Sequence, residues 1–145
     1  MKLLNERFDF SGTKIALLCD NDIVVTLRDD KPDIAFPNTW ELVGGGREEG
    51  ETVFECTARE VYEELGLTIR AEQIVWCRVY SGLINPHKQS VFLVGHISKE
   101  DVEQIVFGDE GQGYKLIPVD DFLKDETIIP QLRQRMADYV REVER

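Results

Sequence analysis

Cysteine and histidine are scarce in this sequence of 145 residues, and neither is spaced to bind a metal. The three cysteines, Cys19, Cys56 and Cys77, lie far apart and include no CxxC pair, so they indicate neither a disulfide framework nor a zinc site. His87 and His96 have no metal-ligand spacing relative to each other. We therefore expect reduced, mostly buried cysteines and two structural or exposed histidines.

Long apolar runs are also absent. No stretch approaches the roughly 20 apolar residues that a membrane-spanning helix needs, and residues 1–10 have no sustained apolar segment of the kind found in export signals. Neither insertion nor export is indicated, so a cytoplasmic location is the default expectation. No linker or repeat divides the chain, and its 42% hydrophobic content is typical of a soluble globular protein. We expect a single domain over residues 1–145.

Basic residues are few relative to acidic ones. The chain has 17 lysines and arginines against 28 aspartates and glutamates, which gives a formal net charge of −11. Affinity for a nucleic-acid backbone comes from Lys and Arg that neutralise phosphates, so this balance argues against a nucleic-acid polymer as partner. A small anionic ligand remains compatible, provided that a metal ion and a few local basic residues offset the overall field.

One predicted helix carries the most informative pattern. Thr52 followed by Glu55 is a capping box that predicts its start, and Gly66 predicts its end. Apolar residues recur between them at the spacing of one helix face: Phe54, Ala58, Val61 and Leu65. This spacing predicts a helix that packs its apolar face on a sheet.

Three glutamates on this helix are unfavourable for stability alone. We predict that Glu60, Glu63 and Glu64 lie opposite the apolar face. Glu60 and Glu64 are a like-charge i, i+4 pair that costs roughly 0.2 to 0.5 kcal/mol, and Glu63 and Glu64 lie at the negative end of the helix dipole. A divalent cation removes this cost, because converging carboxylates supply the hard oxygen ligands that Mg²⁺ prefers. The alternative interpretation is a solvated acidic surface.

The surrounding stretch, Gly44 to Leu67, extends the pattern and begins with Gly44-Gly45-Gly46, which predicts a glycine-rich turn. It runs Gly45, five residues, Glu51, seven residues, Arg59-Glu60-Val61, one residue, Glu63-Glu64, one residue, Gly66-Leu67. This resembles the Nudix box of the Nudix hydrolase superfamily at every constrained position of residues 45–67. The resemblance implies a strand, loop and helix that bind Mg²⁺, or Mn²⁺ in its place. It also implies cleavage of a diphosphate linkage in a nucleoside diphosphate joined to another group.

The resemblance also implies the metal ligands. Glu60 and Glu64 would be the principal ones. Glu63 and the backbone carbonyl of Gly44 or Gly45 would join them.

Catalytic roles are implied in the same way. Arg59 would orient the acids through charge-assisted hydrogen bonds, with Glu51 as a partner. The segment Asp109-Glu110-Gly111-Gln112 resembles a loop that carries an extra glutamate in triphosphate-cleaving members, so Glu110 is a further candidate for catalysis and metal binding. Its alternative interpretation is an ordinary acidic turn. Glu63 or Glu110 would be the general base, and the sequence leaves that choice open.

The remaining patterns predict a mixed α/β fold. We predict strands at residues 14–19, 23–27, 40–43, 74–81, 90–97 and 115–119, of which the first two and the fourth and fifth form hairpins. Residues 28–39 read as a loop, and a short helix begins at Ser98 and continues to about Val106. A C-terminal helix that packs one face on the sheet is predicted by apolar residues at helical spacing: Ile129, Leu132, Met136, Tyr139, Val140 and Val143. Together with the resemblance, these elements imply a Nudix-type α/β/α sandwich with a mixed β-sheet between helices.

Candidate substrate contacts come from several segments. Phe36 and Trp40 are candidates for stacking on a base or ribose, with core packing as the alternative. Arg28 is a candidate for phosphate contact, with surface solvation as the alternative. The resemblance places the second hairpin beneath the substrate, so Arg78 and Tyr80 are also candidates.

The expected substrate is a small nucleotide. The Glu-Gly-Gln context and the short chain favour a nucleoside triphosphate, oxidised or noncognate ones included, cleaved to monophosphate and pyrophosphate. ADP-ribose or a nucleotide sugar is the alternative, weakened because Pro86 comes too late after the box for the ADP-ribose pattern. A nucleotide-binding module without activity is disfavoured because every acid of the box is present, and an isomerase would need catalytic residues that we do not identify. Relatives are often dimers, so a homodimer is compatible.

Overall fold

The computed structural model describes residues 2–82 and 85–143. In this part of the chain, seven strands form one sheet, and helices cover it. The strands are β1 (Phe10–Cys19), β2 (Asp22–Leu27), β3 (Trp40–Glu41), β4 (Val43–Gly46), β5 (Ile74–Ser81), β6 (Gln89–His96) and β7 (Gly113–Pro118). The helices are α1 (Val53–Leu65), α2 (Lys99–Glu103), α3 (Val119–Lys124) and α4 (Pro130–Val143). Two 3-10 turns cover Lys2–Asn5 and Ala71–Gln73.

Strand β1 is the centre of the sheet. It pairs in parallel with β6 along one edge. Along its other edge it pairs antiparallel with β4 and then with β2. Strand β5 lies antiparallel to β6, and β2 also pairs with β3 and β7. The single parallel pair among these antiparallel ones makes the sheet mixed, as predicted.

Side chains of β1 alternate between two cores, because successive residues of a strand point to opposite faces. Ile15 and Leu17 belong to the core beneath α1. Ala16 and Leu18 belong to the core that α3 and α4 cover. All four are buried. The two cores on either side of one sheet confirm the α/β/α sandwich.

Both predicted hairpins are confirmed. Strands β1 and β2 pair antiparallel around Asp20 and Asn21, where Asp20 adopts a φ of 53°. Strand β5 occupies residues 74–81 as predicted, and β6 begins one residue earlier than predicted. The chain between β5 and β6 includes residues 83 and 84, which lie outside the described ranges.

The glycine-rich segment differs from its prediction. Gly44, Gly45 and Gly46 were predicted as a turn, but they lie in β4, and the predicted strand over residues 40–43 is divided at Leu42 into β3 and β4. The pairing of β4 with β1 is unusually close. A Cβ on Gly44, whose φ is 143°, would lie 2.1 Å from the carbonyl oxygen of Thr13. Only glycine fits this backbone approach.

One further prediction was wrong, and one helix was not predicted. The helix that begins at the Ser98 cap ends at Glu103 and not near Val106. It stops there because the following residues bond to the end of α1: the Val106 N–H donates to the Leu65 carbonyl at 2.9 Å. Helix α3 was not predicted, since six residues are too few for a helical apolar repeat.

Helix α4 confirms the predicted C-terminal helix. Leu132, Met136 and Tyr139 are buried against the sheet, while Val143 is 53% exposed, so the apolar stripe ends earlier than predicted. Within the two described ranges, we find no helix long and apolar enough to span a membrane. The three cysteines are reduced and two of them, Cys19 and Cys56, are buried, and both histidines are exposed, as predicted.

Candidate active site

Helix α1 is fixed at both ends by its caps. The Thr52 hydroxyl accepts the Glu55 N–H at 3.1 Å, and the Glu55 carboxylate accepts the Thr52 N–H at 2.9 Å. This reciprocal pair is the predicted capping box. At the other end Gly66 adopts a φ of 68° and donates its N–H to the Tyr62 carbonyl. The predicted start and end are both confirmed, so the register of the acidic residues along the helix is fixed.

The acids of α1 do not all lie where we predicted them. The buried residues of this helix are Val53, Cys56, Thr57, Val61 and Leu65. Glu60 and Glu64 continue the row of Val53 and Thr57, and the side chain of Glu60 is only 15% exposed. Glu63 is 53% exposed. The prediction that all three lie opposite the apolar face is therefore wrong for Glu60 and Glu64 and right for Glu63.

Glu64 bonds to the glycine strand. Its Oε2 accepts the backbone N–H of Gly44 at 2.9 Å. Burial, opposed by the charge of Lys14 and by this hydrogen bond, raises the pKa of Glu64 to about 8. Burial also raises the pKa of Glu60 against the opposing charge of Arg59. Both carboxyls therefore lack enough positive charge nearby, and an added cation would favour their ionised forms.

Gly45 leaves the space that Glu60 occupies. A Cβ at this position would lie 2.5 Å from Oε1 of Glu60, which is closer than real Cβ contacts. The missing side chain thus lets the carboxylate rest directly on the strand. A metal ion held by both a helix carboxylate and a backbone carbonyl would need these two groups to lie this close together.

Arg59 joins the loop before α1 to the acids. Its Nε and Nη2 donate to the two carboxylate oxygens of Glu51 at 2.8 and 3.0 Å, which confirms the predicted partner. Its Nη1 lies 3.2 Å from Glu60 and from Glu63, and its Nη2 donates to the Gly46 carbonyl at 2.7 Å. The hydrogen bonds from Arg59 lower the pKa of Glu51. Arg59 thus contacts the loop and the acids together, and its role in orienting the acids for catalysis stays a prediction.

Glu60, Glu64 and Glu110 line one cavity of about 460 Å³, which we call the acidic cavity. Its wall also includes the three glycines of β4 and three cations: Gly44, Gly45, Gly46, Lys14, Arg28 and Lys31. Glu110 reaches it from the loop before β7. Glu63 is not among the lining residues. The structure therefore brings together two acids of the predicted helix and the predicted loop acid.

The donor atoms of the acidic cavity are those of a hard-cation site. Within residues 2–82 and 85–143, no three acidic, histidine or cysteine side chains are close enough to hold one ion, so the predicted convergence of Glu60, Glu63 and Glu64 is not seen. The chemistry of the donor set still fits Mg²⁺ or Mn²⁺. It combines carboxylates whose pKa burial raises with the backbone oxygens of Gly44 and Gly45.

An ion-pair network that we did not predict from the sequence lies beside these glycines. Lys14 Nζ donates to Glu41 at 2.7 Å and to the Gly44 carbonyl at 3.1 Å. Arg28 Nη1 donates to the other oxygen of Glu41 at 2.8 Å. Lys14 and Glu41 are 27 residues apart and belong to different strands, so no local pattern could have revealed their contact. The network places two cations next to the candidate metal ligands.

A second cavity of about 460 Å³ adjoins the first, and we call it the adjoining cavity. The two cavities share five lining residues: Lys14, Arg28, Glu41, Gly45 and Gly46. The remaining wall has an apolar part with Phe36 and Ile129 and a polar part with Lys88 and Arg135. A ligand could therefore extend from the acids into a second chamber.

Two of the predicted substrate contacts reach these cavities. Arg28 lines both, and Phe36 lines the adjoining cavity with a strained φ of 51°. Trp40 lines neither; it packs beside the core beneath α4, and Lys115 Nζ lies 4.2 Å from its ring centre. The position of Trp40 thus agrees with the alternative interpretation, core packing.

The other two predicted contacts lie against α4. The Tyr80 hydroxyl donates to Asp138 at 2.7 Å, and Arg78 pairs with Asp138 and Glu142. Neither Arg78 nor Tyr80 lines either cavity. The ring of Tyr80 is nevertheless 4.7 Å from the guanidinium of Arg135, which does line one. Strand β5 therefore supports the adjoining cavity from behind.

Comparison with known proteins agrees with this geometry. The sequence model of the NUDIX domain matches residues 12–141. Nudix hydrolase 3 of Caenorhabditis elegans is 30% identical over 118 residues, which are 77% of this chain and 45% of that protein. Nucleoside triphosphatase NudI of Enterobacter sp. (strain 638) is 58% identical over 31 residues, which are 21% of this chain and 22% of that protein. Each match therefore covers less than half the length of the relative.

A solved structure shows the same fold. The crystal structure of a MutT protein from Methanosarcina mazei Go1 aligns with a TM-score of 0.73 and 20% sequence identity. The alignment covers 97% of this chain and 100% of that one. The similarity therefore extends over the sheet and both helical layers.

Proposed function

This chain belongs to the NUDIX domain family, and from that premise we propose that it hydrolyses a diphosphate linkage in a nucleotide with the help of a divalent metal ion. The observation that carries the proposal is the acidic cavity. There Glu60, Glu64 and Glu110 lie beside Gly44 and Gly45, although these residues come from a helix, a loop and a strand.

Glu60 and Glu64 would hold Mg²⁺ or Mn²⁺ together with the carbonyl of Gly44 or Gly45. Glu110 lines the same cavity, but within the described ranges no three acids are close enough to share one ion, so Glu110 would join them only after its side chain moves. Glu63 would join them only after its side chain turns away from solvent. When bound, the ion would offset the charge that develops on the phosphoryl oxygens and lower the pKa of the attacking water. Metal removal is therefore expected to abolish turnover.

The general base is one of two glutamates, and we propose Glu110. It lines the acidic cavity, whereas Glu63 does not line it and is engaged by Arg59. Gln112 holds the loop of Glu110 in place, since its side-chain amide donates to the Arg28 carbonyl at 2.7 Å and to Asn38 at 2.9 Å. A carboxylate on such an anchored loop is well placed to accept a proton from water.

Two cations are available for the phosphates. Lys14 and Arg28 line both cavities, so they lie where a polyphosphate that leaves the acidic cavity would pass. Both are already held in position by Glu41. They would neutralise substrate charge that the net charge of −11 otherwise repels.

We propose a nucleoside triphosphate as substrate, with monophosphate and pyrophosphate as products. Two observations support this choice: the Glu110-Gly111-Gln112 segment at the acidic cavity, and the local similarity to a nucleoside triphosphatase. The adjoining cavity offers room for the nucleoside, since nucleotide-sized ligands bind in clefts of about 300 to 1,000 Å³.

Product analysis tests the proposal. The protein is incubated with Mg²⁺ and, separately, with common and oxidised nucleoside triphosphates, ADP-ribose and nucleotide sugars, and products are identified by ³¹P NMR with an EDTA control. We expect monophosphate and pyrophosphate from a triphosphate and no product in EDTA. Cleavage of only ADP-ribose or a nucleotide sugar would overturn the proposed triphosphate substrate, while the proposal of diphosphate hydrolysis would stand. Binding without cleavage of any compound would overturn the hydrolase proposal.

A further inference from the structure

Arg135 is a buried cation in the wall of the adjoining cavity. Arg135 lies on α4 and is only 5% exposed. Its Nη1 donates to the Ser90 hydroxyl at 3.2 Å, its Nη2 donates to the Ser81 carbonyl, and its guanidinium carbon lies 4.7 Å from the Tyr80 ring centre. Within the described ranges no carboxylate pairs with it, and burial lowers its pKa. A buried charge without a counter-charge is costly, so its place in the cavity wall points to a ligand that interacts with it.

The charge of the adjoining cavity supports this interpretation. Among the described residues, four cations line it, Lys14, Arg28, Lys88 and Arg135, against one carboxylate, that of Glu41. Glu41 is already paired with Lys14 and Arg28. The part of the wall that the acidic cavity does not share therefore presents Lys88 and Arg135 without an acid. Such a surface is unusual in a chain with a net charge of −11.

The hydrogen-bonding groups of this part are mostly donors. Arg and Lys side chains carry only donors. The side-chain oxygen of Asn85 already accepts the His87 N–H at 3.0 Å, which leaves its amide N–H groups for a ligand. The Ser90 hydroxyl is occupied by Arg135 and by the Ser81 carbonyl. A ligand that binds here must therefore supply acceptors.

We propose that Arg135 is a specificity-determining residue that selects nucleobases bearing a carbonyl oxygen over those bearing an amino group in its place. The inference rests on the proposed function, because a diphosphate in the acidic cavity would direct the nucleoside into the adjoining one. The guanidinium fork pairs with adjacent acceptors such as the O6 and N7 atoms of a 6-oxopurine. The amino group of adenine is a donor, so it could not accept a hydrogen bond from the N–H groups of Arg135.

Matched substrates provide the test. ITP and ATP present a carbonyl oxygen and an amino group, respectively, at C6 of the purine, and UTP and CTP present the same contrast at C4 of the pyrimidine. We expect kcat/KM to favour the carbonyl member of the accepted pair by about tenfold or more. In Arg135→Gln the preference should fall to within about threefold, because a glutamine amide can donate to a carbonyl or accept from an amino group. Arg135→Lys keeps the charge without the fork and should be intermediate.

Arg133→Gln is the matched control, since it removes the same charge from the same helix outside the cavity lining. It should keep the preference of the wild type. The proposal is overturned if the wild type shows no carbonyl preference in either pair, or if Arg135→Gln lowers both members equally. Unfolding midpoints identify variants that do not fold. If the Arg135 variants do not fold, the wild-type ratio of kcat/KM for the carbonyl and amino substrates decides whether the proposal stands.

A binding measurement separates this inference from the proposed function. If the wild type cleaves no triphosphate, the hydrolase proposal has failed, and isothermal titration with IMP and AMP then tests Arg135 directly. Tighter binding of IMP that is lost in Arg135→Gln would support the inference. Equal affinities for IMP and AMP in the wild type would overturn it.

Discussion

The choice between Glu110 and Glu63 can be made with two single substitutions. Glu110→Gln removes the proposed general base and should lower kcat by about 10²- to 10⁴-fold. Glu63→Gln should lower it less, because that side chain is exposed and lines neither cavity. Initial rates at saturating substrate and Mg²⁺ provide the measurement. A larger loss in Glu63→Gln would transfer the role to that residue.

Tyr80 predicts a pH dependence at the alkaline end. Burial, together with the hydrogen bond to Asp138, raises the pKa of Tyr80 to about 12. The unfolded chain loses this proton near pH 10. Tyr80 therefore contributes stability that is fully present below pH 10 and is lost as pH rises toward 12.

Urea unfolding between pH 9 and 11.5 checks this expectation. The free energy of unfolding should fall more steeply with pH in the wild type than in Tyr80→Phe, which has no phenolic proton. The control is Tyr62→Phe. Because Tyr62 is 62% exposed, this variant should have the same slope as the wild type. Parallel slopes for wild type and Tyr80→Phe would contradict the assignment.

Single residues were predictable from sequence where their partners are close along the chain. The contact of Arg59 with Glu51 follows from the spacing of one motif, and it is confirmed at 2.8 Å. Glu41 and Arg135 gave no such signal, because each is one charged residue within an otherwise ordinary strand or helix pattern. Their roles depend on contacts with distant segments, 27 residues away for Lys14 and 45 for Ser90.

At the level of the element, the capping box of α1 predicts a measurable stability. Thr52→Ala removes the oxygen that accepts the Glu55 N–H and should lower the free energy of unfolding by about 1 kcal/mol. Thr52→Ser keeps the oxygen and is the matched control. Chemical denaturation monitored by circular dichroism measures both. Equal stabilities for the alanine and serine variants would show that the cap contributes little.

Strand β4 predicts a second effect, on metal affinity. Gly45→Ala would place a Cβ 2.5 Å from Glu60, so the carboxylate must move and the Mg²⁺ concentration for half-maximal rate should rise. Gly46→Ala should raise it less, since the nearest atom to a Cβ there is 4.0 Å away. Rates measured against free Mg²⁺ compare the two. An equal response of both variants would contradict the role of Gly45.

Elements were predictable where local signals mark both ends. Helix α1 has a capping box and a terminal glycine, and both were located correctly. The direction of its acids was not, because Phe54 and Ala58, two of the four apolar residues that we used, are only partly buried. The buried face extends instead to Val53 and Thr57, in line with Glu60 and Glu64. Gly44–Gly46 resembled a turn in sequence and became a strand only through pairing with β1. That pairing is a contact between segments about 30 residues apart, as in the bond from Lys14 to Gly44.

At the scale of the whole molecule, metal binding should stabilise the fold. A ligand that binds only the folded state adds RT ln(1 + [L]/Kd), about 2.7 kcal/mol when Mg²⁺ is present at 100 times its Kd. The thermal midpoint should therefore rise with MgCl₂ in the wild type. A double variant, Glu60→Gln with Glu64→Gln, should not respond, and KCl at matched ionic strength controls for screening of the net charge. A similar rise in the double variant would indicate that the ion binds elsewhere.

The sandwich itself was largely predictable, because alternating strands and two amphipathic helices leave few arrangements that bury both faces of a sheet. The parallel pairing of β1 with β6 specifies how the layers assemble, and no turn signal encodes it. The two cavities depend on that assembly, since β1, β4, β6 and α4 all contribute to their walls. The shape of the cavities could therefore not be predicted from the sequence, although three acids that line the acidic cavity were predicted as site residues.

The most direct test is the rate of pyrophosphate release from the preferred nucleoside triphosphate, measured with Mg²⁺ for wild type, Glu64→Gln and Glu103→Gln. Glu64 combines a contact to the glycine strand with a place in the acidic cavity, whereas Glu103 is an exposed acid at the end of α2. We predict that Glu64→Gln lowers the rate by about 100-fold or more with its fold intact, while Glu103→Gln matches the wild type. A rate in Glu64→Gln close to that of the wild type, or release that continues in EDTA, would contradict the account.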